Sequence, residues 1–169
     1  MPQIGGIIHN TLTNGEGVRM AIFFSGCPHK CEGCHNKHLW NEESGVKISC
    51  EDIDKEIIKN MPLIDGITLT GGDPVMQAED ATRIASYAKK NGLNVWLYTG
   101  YTRYQLEALQ TRYEEIGELL KHVDIVVDGK FDQKLHSENI KHRGSTNQAI
   151  WKVENGKFVE DMTSYYDNK

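Results

Sequence analysis

Four short apolar runs, each ending on a glycine or polar motif, limit what this chain can fold into more than any other feature. Val18–Phe24 ends at Ser25-Gly26-Cys27, and Gly66–Thr70 ends at Gly71-Gly72-Asp73-Pro74. Asn94–Tyr98 ends at Thr99-Gly100, and Val123–Val127 at Asp128-Gly129-Lys130. Helix-period segments lie between them. Ser49 and Asp52 have the spacing of a capping box, opening a helix that carries Ile53, Ile57 and Ile58. Ala81, Ile84, Ala85 and Ala88 recur at i, i+3, i+4 and i+7, and Gly92 is placed to stop that helix. A third helical region runs from Thr102 to Lys121 with a break near Arg112; Leu106, Leu109, Ile116, Leu119 and Leu120 form its apolar face.

Strands alternating with helices call for parallel pairing through right-handed crossovers. A full eight-fold β/α barrel takes about 250 residues, and this chain has 169. The fold class expected is therefore α/β, a partial parallel β/α barrel open on one side, built as a single domain over residues 1–169 with its core at about 14–148. Residues 3–9 read as a short edge strand and residues 36–48 as irregular. Ala149–Glu160 alternates around Asn155-Gly156, which predicts a C-terminal β-hairpin with a type I′ turn, set at a sheet edge or against a partner. Met162–Lys169 reads as a polar tail. In such folds ligands bind at the carboxyl ends of the strands, so Cys27, Gly71, Thr99 and Asp128 are expected on one rim.

The first rim motif is also the most specific. Cys27, Cys31 and Cys34 form a C-x3-C-x2-C set in one short loop. Thiolates this close are soft ligands for an iron–sulfur cluster or zinc, and less often for copper(I). Three cysteines on a cubane leave one iron open to a reacting ligand, whereas a structural zinc site needs four donors. His29, His35 or His38 could complete zinc; Cys50 could close either site. Cys50 follows the N-cap Ser49 and reads as a non-ligand thiol whose pKa the helix N-terminus could depress. Glycines at a strand end, here Gly71 and Gly72, let backbone approach a ligand and offer carbonyls to an ammonium group.

Composition sets the surroundings. No apolar run approaches about 18 residues and no basic-then-apolar leader is visible, so a cytoplasmic protein is expected. Closely spaced cysteines in such a setting read as ligands, not disulfides. A net charge of −5 without a basic block argues against nucleic acid as partner.

The string from Asn14-Gly15-Glu16-Gly17 through Cys27-Pro28-His29-Lys30-Cys31-Glu32-Gly33-Cys34 to Asn36 and Trp40 resembles the glycyl-radical activases of the radical S-adenosylmethionine (SAM) superfamily. Within these it is most similar to the activases of the anaerobic (class III) ribonucleoside-triphosphate reductase. The resemblance implies a barrel of the radical SAM type. It also implies one [4Fe–4S] cluster on Cys27, Cys31 and Cys34, with SAM on the open iron. Backbone around Gly33, Cys34 and His35 would meet the adenine. Gly71 and Gly72 would hold the methionine amino group, with Asp73 standing where the superfamily has Glu. Thr99, Asp128 and Lys130 would lie near the methionine carboxylate and the ribose. Arg143, in Arg143-Gly-Ser-Thr-Asn-Gln148, would contact SAM or the partner. No catalytic side chain is implied beyond the cluster and SAM. The implied partners are the reductase, whose glycine receives the radical, and an external one-electron donor such as flavodoxin. Two other readings stand beside this one: a small-molecule radical SAM enzyme like 7-carboxy-7-deazaguanine synthase, and a zinc-stabilised binding module.

Overall fold

The computed structural model describes residues 1–169. Its eight strands are β1 (Gln3–Thr11), β2 (Arg19–Phe24), β3 (Val46–Lys47), β4 (Gly66–Gly71), β5 (Asn94–Tyr98), β6 (Ile125–Asp128), β7 (Ala149–Glu154) and β8 (Lys157–Asp161). They form one sheet in the order β3-β1-β2-β4-β5-β6-β7-β8. The four strands expected from the apolar runs make its parallel centre, β2-β4-β5-β6. The outer strands pair antiparallel on both sides. Asn155 and Gly156, between β7 and β8, have φ of 50° and 81°, the left-handed values a type I′ turn requires.

The helices α1 (Cys50–Asn60), α2 (Ala78–Lys90), α3 (Arg103–Arg112) and α4 (Glu114–Lys121) supply the crossovers. Ser49 caps α1 by accepting from the Asp52 N–H at 3.1 Å. The reciprocal capping box forms at Thr102 and Gln105, at the start of α3. The third helical region breaks at Tyr113, whose extended backbone separates α3 from α4.

Side chains alternate across a strand, and here the alternation sorts two unlike faces. Met20, Ile22, Phe24, Ile67, Leu69, Val95, Leu97 and Val126 face the helices and join Ile53, Ile57, Ile84, Leu106 and Leu119 in a core of 25 buried residues. The opposite face is more polar. Arg19, 1% exposed, donates to Thr68 Oγ1, Glu16 O, Ile67 O, Asn94 O and Asn94 Oδ1. It stands 5.5 Å from the Trp96 ring centroid. Burial with only neutral acceptors in direct contact pulls its guanidinium down to about 10.

The expectation of a polar tail after Met162 is corrected. Thr163–Asp167 forms a short helix, α5, and Tyr166 is buried edge-on against Trp96 and His142. A ring that can stack on this face gains burial that a solvated tail lacks. Residues 36–48, expected to be irregular, include 3-10 turns at Lys37–Leu39 and Glu42–Ser44 as well as β3.

Candidate functional site

The carboxyl ends of β2, β4, β5 and β6 open onto a cavity of about 210 Å³. One wall is the loop after β2. Its backbone is pinned by Gly26 N to Leu39 O at 2.7 Å and Cys27 N to Trp40 O at 3.0 Å. Lys30 and Gly33 turn it through positive φ, 49° and 76°. Cys27, Cys31 and Cys34 all line the cavity and are free thiols. Asn36 N donates to Cys34 Sγ at 3.4 Å. Burial pushes the Cys27 and Cys31 thiols up, partly offset by nearby backbone and, at Cys31, by the Lys130 charge.

The Asn36 N–H on the Cys34 sulfur fits a sulfur that carries negative charge as a ligand. No three His, Cys, Asp or Glu side chains converge as ligands of a single ion. Of the donors that could have closed a zinc site, His29 is engaged with Asp73, and Cys50 sits at the start of α1 with its sulfur 3.8 Å from Asp80 Oδ1. Burial and then the Asp80 charge raise the Cys50 thiol, so its helix N-terminus does not activate it as expected. His35 lines the cavity, its ring 5.8 Å from that of Phe131.

Gly71 and Gly72 form the second wall. Gly71 takes φ 111°, and Gly72 N donates to Phe24 O at 2.7 Å. A Cβ on either would come closer than 3.0 Å to backbone of the β2 strand or its loop, so only glycine lets these loops approach. Thr99 and Lys130 line the same cavity. Thr99 Oγ1 donates to Asp73 Oδ2 at 2.8 Å and accepts from Tyr101 N at 3.2 Å.

Four residues expected at the ligand do not line this cavity. Asp73 is fully buried beneath the cavity wall, and its carboxylate accepts from Thr99, Gly100 N, Val75 N and His29. Asp128 is also buried, accepting from Arg103 N at 2.7 Å, Ala149 N at 3.0 Å and Trp151 Nε1 at 3.2 Å. Burial raises its carboxyl above the usual range despite those donors. Arg143 lines an adjoining cavity of about 810 Å³. It donates to Gln148 O at 3.1 Å and pairs with Asp167 at 2.5 Å. Gly33 also lies outside the cysteine-lined cavity, its turn packed on Gln133.

Sequence reasoning missed Asn36, Trp40, Tyr98, Phe131 and Gln148 as cavity residues. Phe131 could have been found, because it directly follows the rim motif ending at Lys130. Gln148 closes the motif that begins at Arg143: its side chain accepts from the Gly144 and Ser145 N–H groups, and only its bond to Gly129 O lacks a local signature.

Comparison with known proteins agrees with this geometry. Residues 13–151 match the family model described as a 4Fe-4S single cluster domain. The anaerobic ribonucleoside-triphosphate reductase-activating protein of Enterobacteria phage T4 is 35% identical over 154 residues, covering 88% of this chain and 92% of that protein. Its namesake from Vibrio cholerae is 36% identical, covering 82% and 90%, and that from Escherichia coli K12 is 32% identical, covering 82% and 91%. The crystal structure of QueE from Escherichia coli superposes with a TM-score of 0.50 at 23% identity, over 60% of this chain and 53% of QueE, a likeness of fold. By its match to the cluster-domain model and to these relatives along most of its length, the chain belongs to the family of anaerobic ribonucleoside-triphosphate reductase-activating proteins.

Proposed function

We propose that the chain is a radical SAM oxidoreductase that activates the anaerobic ribonucleoside-triphosphate reductase. Cys27, Cys31 and Cys34 would hold one [4Fe–4S] cluster by three irons, leaving the fourth for the amino and carboxylate groups of SAM. With one electron from an external donor such as flavodoxin, these cofactors would supply the chemistry, reductive cleavage of SAM to methionine and a 5′-deoxyadenosyl radical that would take the α-hydrogen of a reductase glycine and leave a glycyl radical.

The chain's own work is binding and orientation. The carbonyls of Gly71 and Gly72 accept from the methionine ammonium, and Lys130 supplies charge opposite the carboxylate. Thr99 lies near the carboxylate and the ribose. Backbone from Gly33 through Cys34 to His35 borders the adenine. Asp73 and Asp128 hold the loops that carry these groups, and Arg143 braces the loop ahead of Gln148. We read the sheet, which runs from β3 to β8, as an open barrel of the radical SAM type, one domain whose open side admits a loop of the reductase. Such chemistry suits a reducing cytoplasm, and no helix is long and apolar enough to cross a membrane.

The observation that carries this reading is the single cavity in which the three thiols face Gly71, Gly72, Thr99 and Lys130. The test is electron paramagnetic resonance on the anaerobically reconstituted and reduced protein, with and without SAM. A reduced [4Fe–4S] signal that changes shape on adding SAM is expected. Zinc in place of iron, or a cluster signal indifferent to SAM, would overturn it.

A further inference from the structure

The cysteine-lined cavity offers few side chains to a flat purine ring. Gly33, expected beside the adenine, has none, and a Cβ there would come within 2.9 Å of the Gln133 side chain at a φ of 76°. That turn can border a base with backbone, but it has no ring to set against the face. Trp40, Tyr98 and Phe131 are the Phe, Tyr and Trp residues that line the cavity. Tyr98 is tied by its hydroxyl, which donates to His142 O at 2.7 Å. Trp40 has its indole N–H buried without a partner, so what it lacks is an acceptor.

Phe131 has no polar atom to satisfy, and it joins neither of the two buried apolar clusters. Its ring borders the cysteine-lined cavity and also a second one of about 400 Å³, whose other lining residues are Glu32, Lys130, Asp132, Gln133, Lys134 and Asn147. A half-buried phenyl ring among polar neighbours gains further burial only when an apolar surface is laid on it. The rings beside it leave that role open. His35 stands 5.8 Å away at 55° and His136 5.9 Å away at 66°, so neither lies parallel to it. The ring is nevertheless held in place. A Cβ on Gly144 would come within 2.9 Å of it, and Gly144 N donates to Gln148 Oε1 at 2.9 Å. The Arg143–Gln148 turn thus closes directly on the ring, which gives that motif a task at the cavity.

We propose that Phe131 is the platform on which the adenine of SAM stacks, next to His35 of the cysteine loop. The proposal rests on the reading of this cavity as a SAM site. Every nucleobase has a π-face, and an aromatic side chain meets it without any hydrogen-bond requirement of its own. The end of β6 then serves two parts of one ligand: Lys130 stands opposite the carboxylate, and the next residue lies under the base.

The experiment is anaerobic calorimetric titration of SAM into the reconstituted full chain with its cluster left oxidised, so that no electron is available and SAM stays intact. Wild type, Phe131→Ala and Phe131→Tyr are compared, with iron and sulfide per chain measured on each sample. Removing a stacking ring weakens base binding about 5- to 150-fold, and Phe131→Ala should weaken SAM by that factor while holding wild-type iron and sulfide. Phe131→Tyr keeps the ring and should bind near wild type. An alanine variant that binds SAM as tightly as wild type would overturn the proposal, and so would a tyrosine variant weakened as far as alanine. Should Phe131→Ala fail to fold by circular dichroism or lose its cluster, Phe131→Leu, which fills the space without a ring, replaces it under the same criteria. A wild type that holds its cluster and binds no SAM would instead refute the SAM reading of the cavity, so the two failures are distinguishable.

Discussion

Three glycines separate two costs that are usually confounded, backbone strain and steric exclusion. Gly92, after α2, has φ 78° and open space where a Cβ would stand. Gly72 has no left-handed φ, but its Cβ would press on the carbonyl oxygens of Gly26 and Leu39. Gly71 has both problems, with φ 111° and the backbone of Phe24 in the way. Holding a non-glycine residue left-handed costs about 1–2 kcal/mol, and forcing a methyl into a packed site costs about 1–3 kcal/mol. Gly92→Ala should therefore lose about 1–2 kcal/mol, Gly72→Ala about 1–3, and Gly71→Ala about 2–5 as the sum of both terms. The entropy that alanine removes from the unfolded chain is common to all three and cancels in the differences. For a chain of this length each kcal/mol lowers the melting temperature by about 2–4 °C. Gly71→Ala should melt roughly 4–20 °C below wild type and Gly92→Ala about 2–8 °C below. The assay is thermal unfolding of the metal-free protein by circular dichroism, with the thiols kept reduced. If Gly71→Ala melts no lower than Gly92→Ala, the close approach of the β2 and β4 loops is wrong, and with it the cavity wall built on it.

Cys50→Ser should retain wild-type iron and sulfide per reconstituted chain, whereas Cys34→Ser should lose the cluster; equal loss in both would return Cys50 to the ligand set. Burial holds the His142 imidazole below its ordinary 6.5. The unfolded chain then takes up the proton first as acidity rises, so this contribution to stability is complete above about pH 6.5 and declines as pH falls towards the folded value. His142→Asn, which suits the φ of 63° at that position, should flatten urea-denaturation stability across this window; an unchanged slope would assign the dependence elsewhere. Thr102→Ala removes half of the capping box on α3 and should cost about 1 kcal/mol in the same denaturation, against no change if α3 is held by packing alone.

The parallel centre of the sheet and the cysteine wall were legible because both are local. Each strand is a short apolar run, and the triad is a spacing. The two rim aspartates show where local reasoning stops. The resemblance put Asp73 and Asp128 at the ligand, but the structure turns both inward, because the helix starts and strand ends packed beside them carry backbone N–H groups that must find acceptors once buried. Asp73 takes Val75 N and Gly100 N, and Asp128 takes Arg103 N and Ala149 N. The amino ends of the strands use the same device. Asp65, before β4, accepts from Val18 N, and Asp124, before β6, accepts from Val95 N. An aspartate at either end of these strands thus serves the neighbouring loop, and its partner lies 21 to 47 residues away wherever it crosses between strands or elements in this way. Arg143 follows the same logic, tied to Asp167 in a segment that reads as a tail. With both rim carboxylates engaged, the cysteines, the glycine backbone, Thr99 and Lys130 are left to line the cavity from the four strand-end motifs. That set suits a cationic ammonium and a carboxylate presented beside soft metal ligands. On the proposed reading the ammonium falls to glycine backbone and the carboxylate to Lys130, so a substitution scan confined to charged residues would find only half of it.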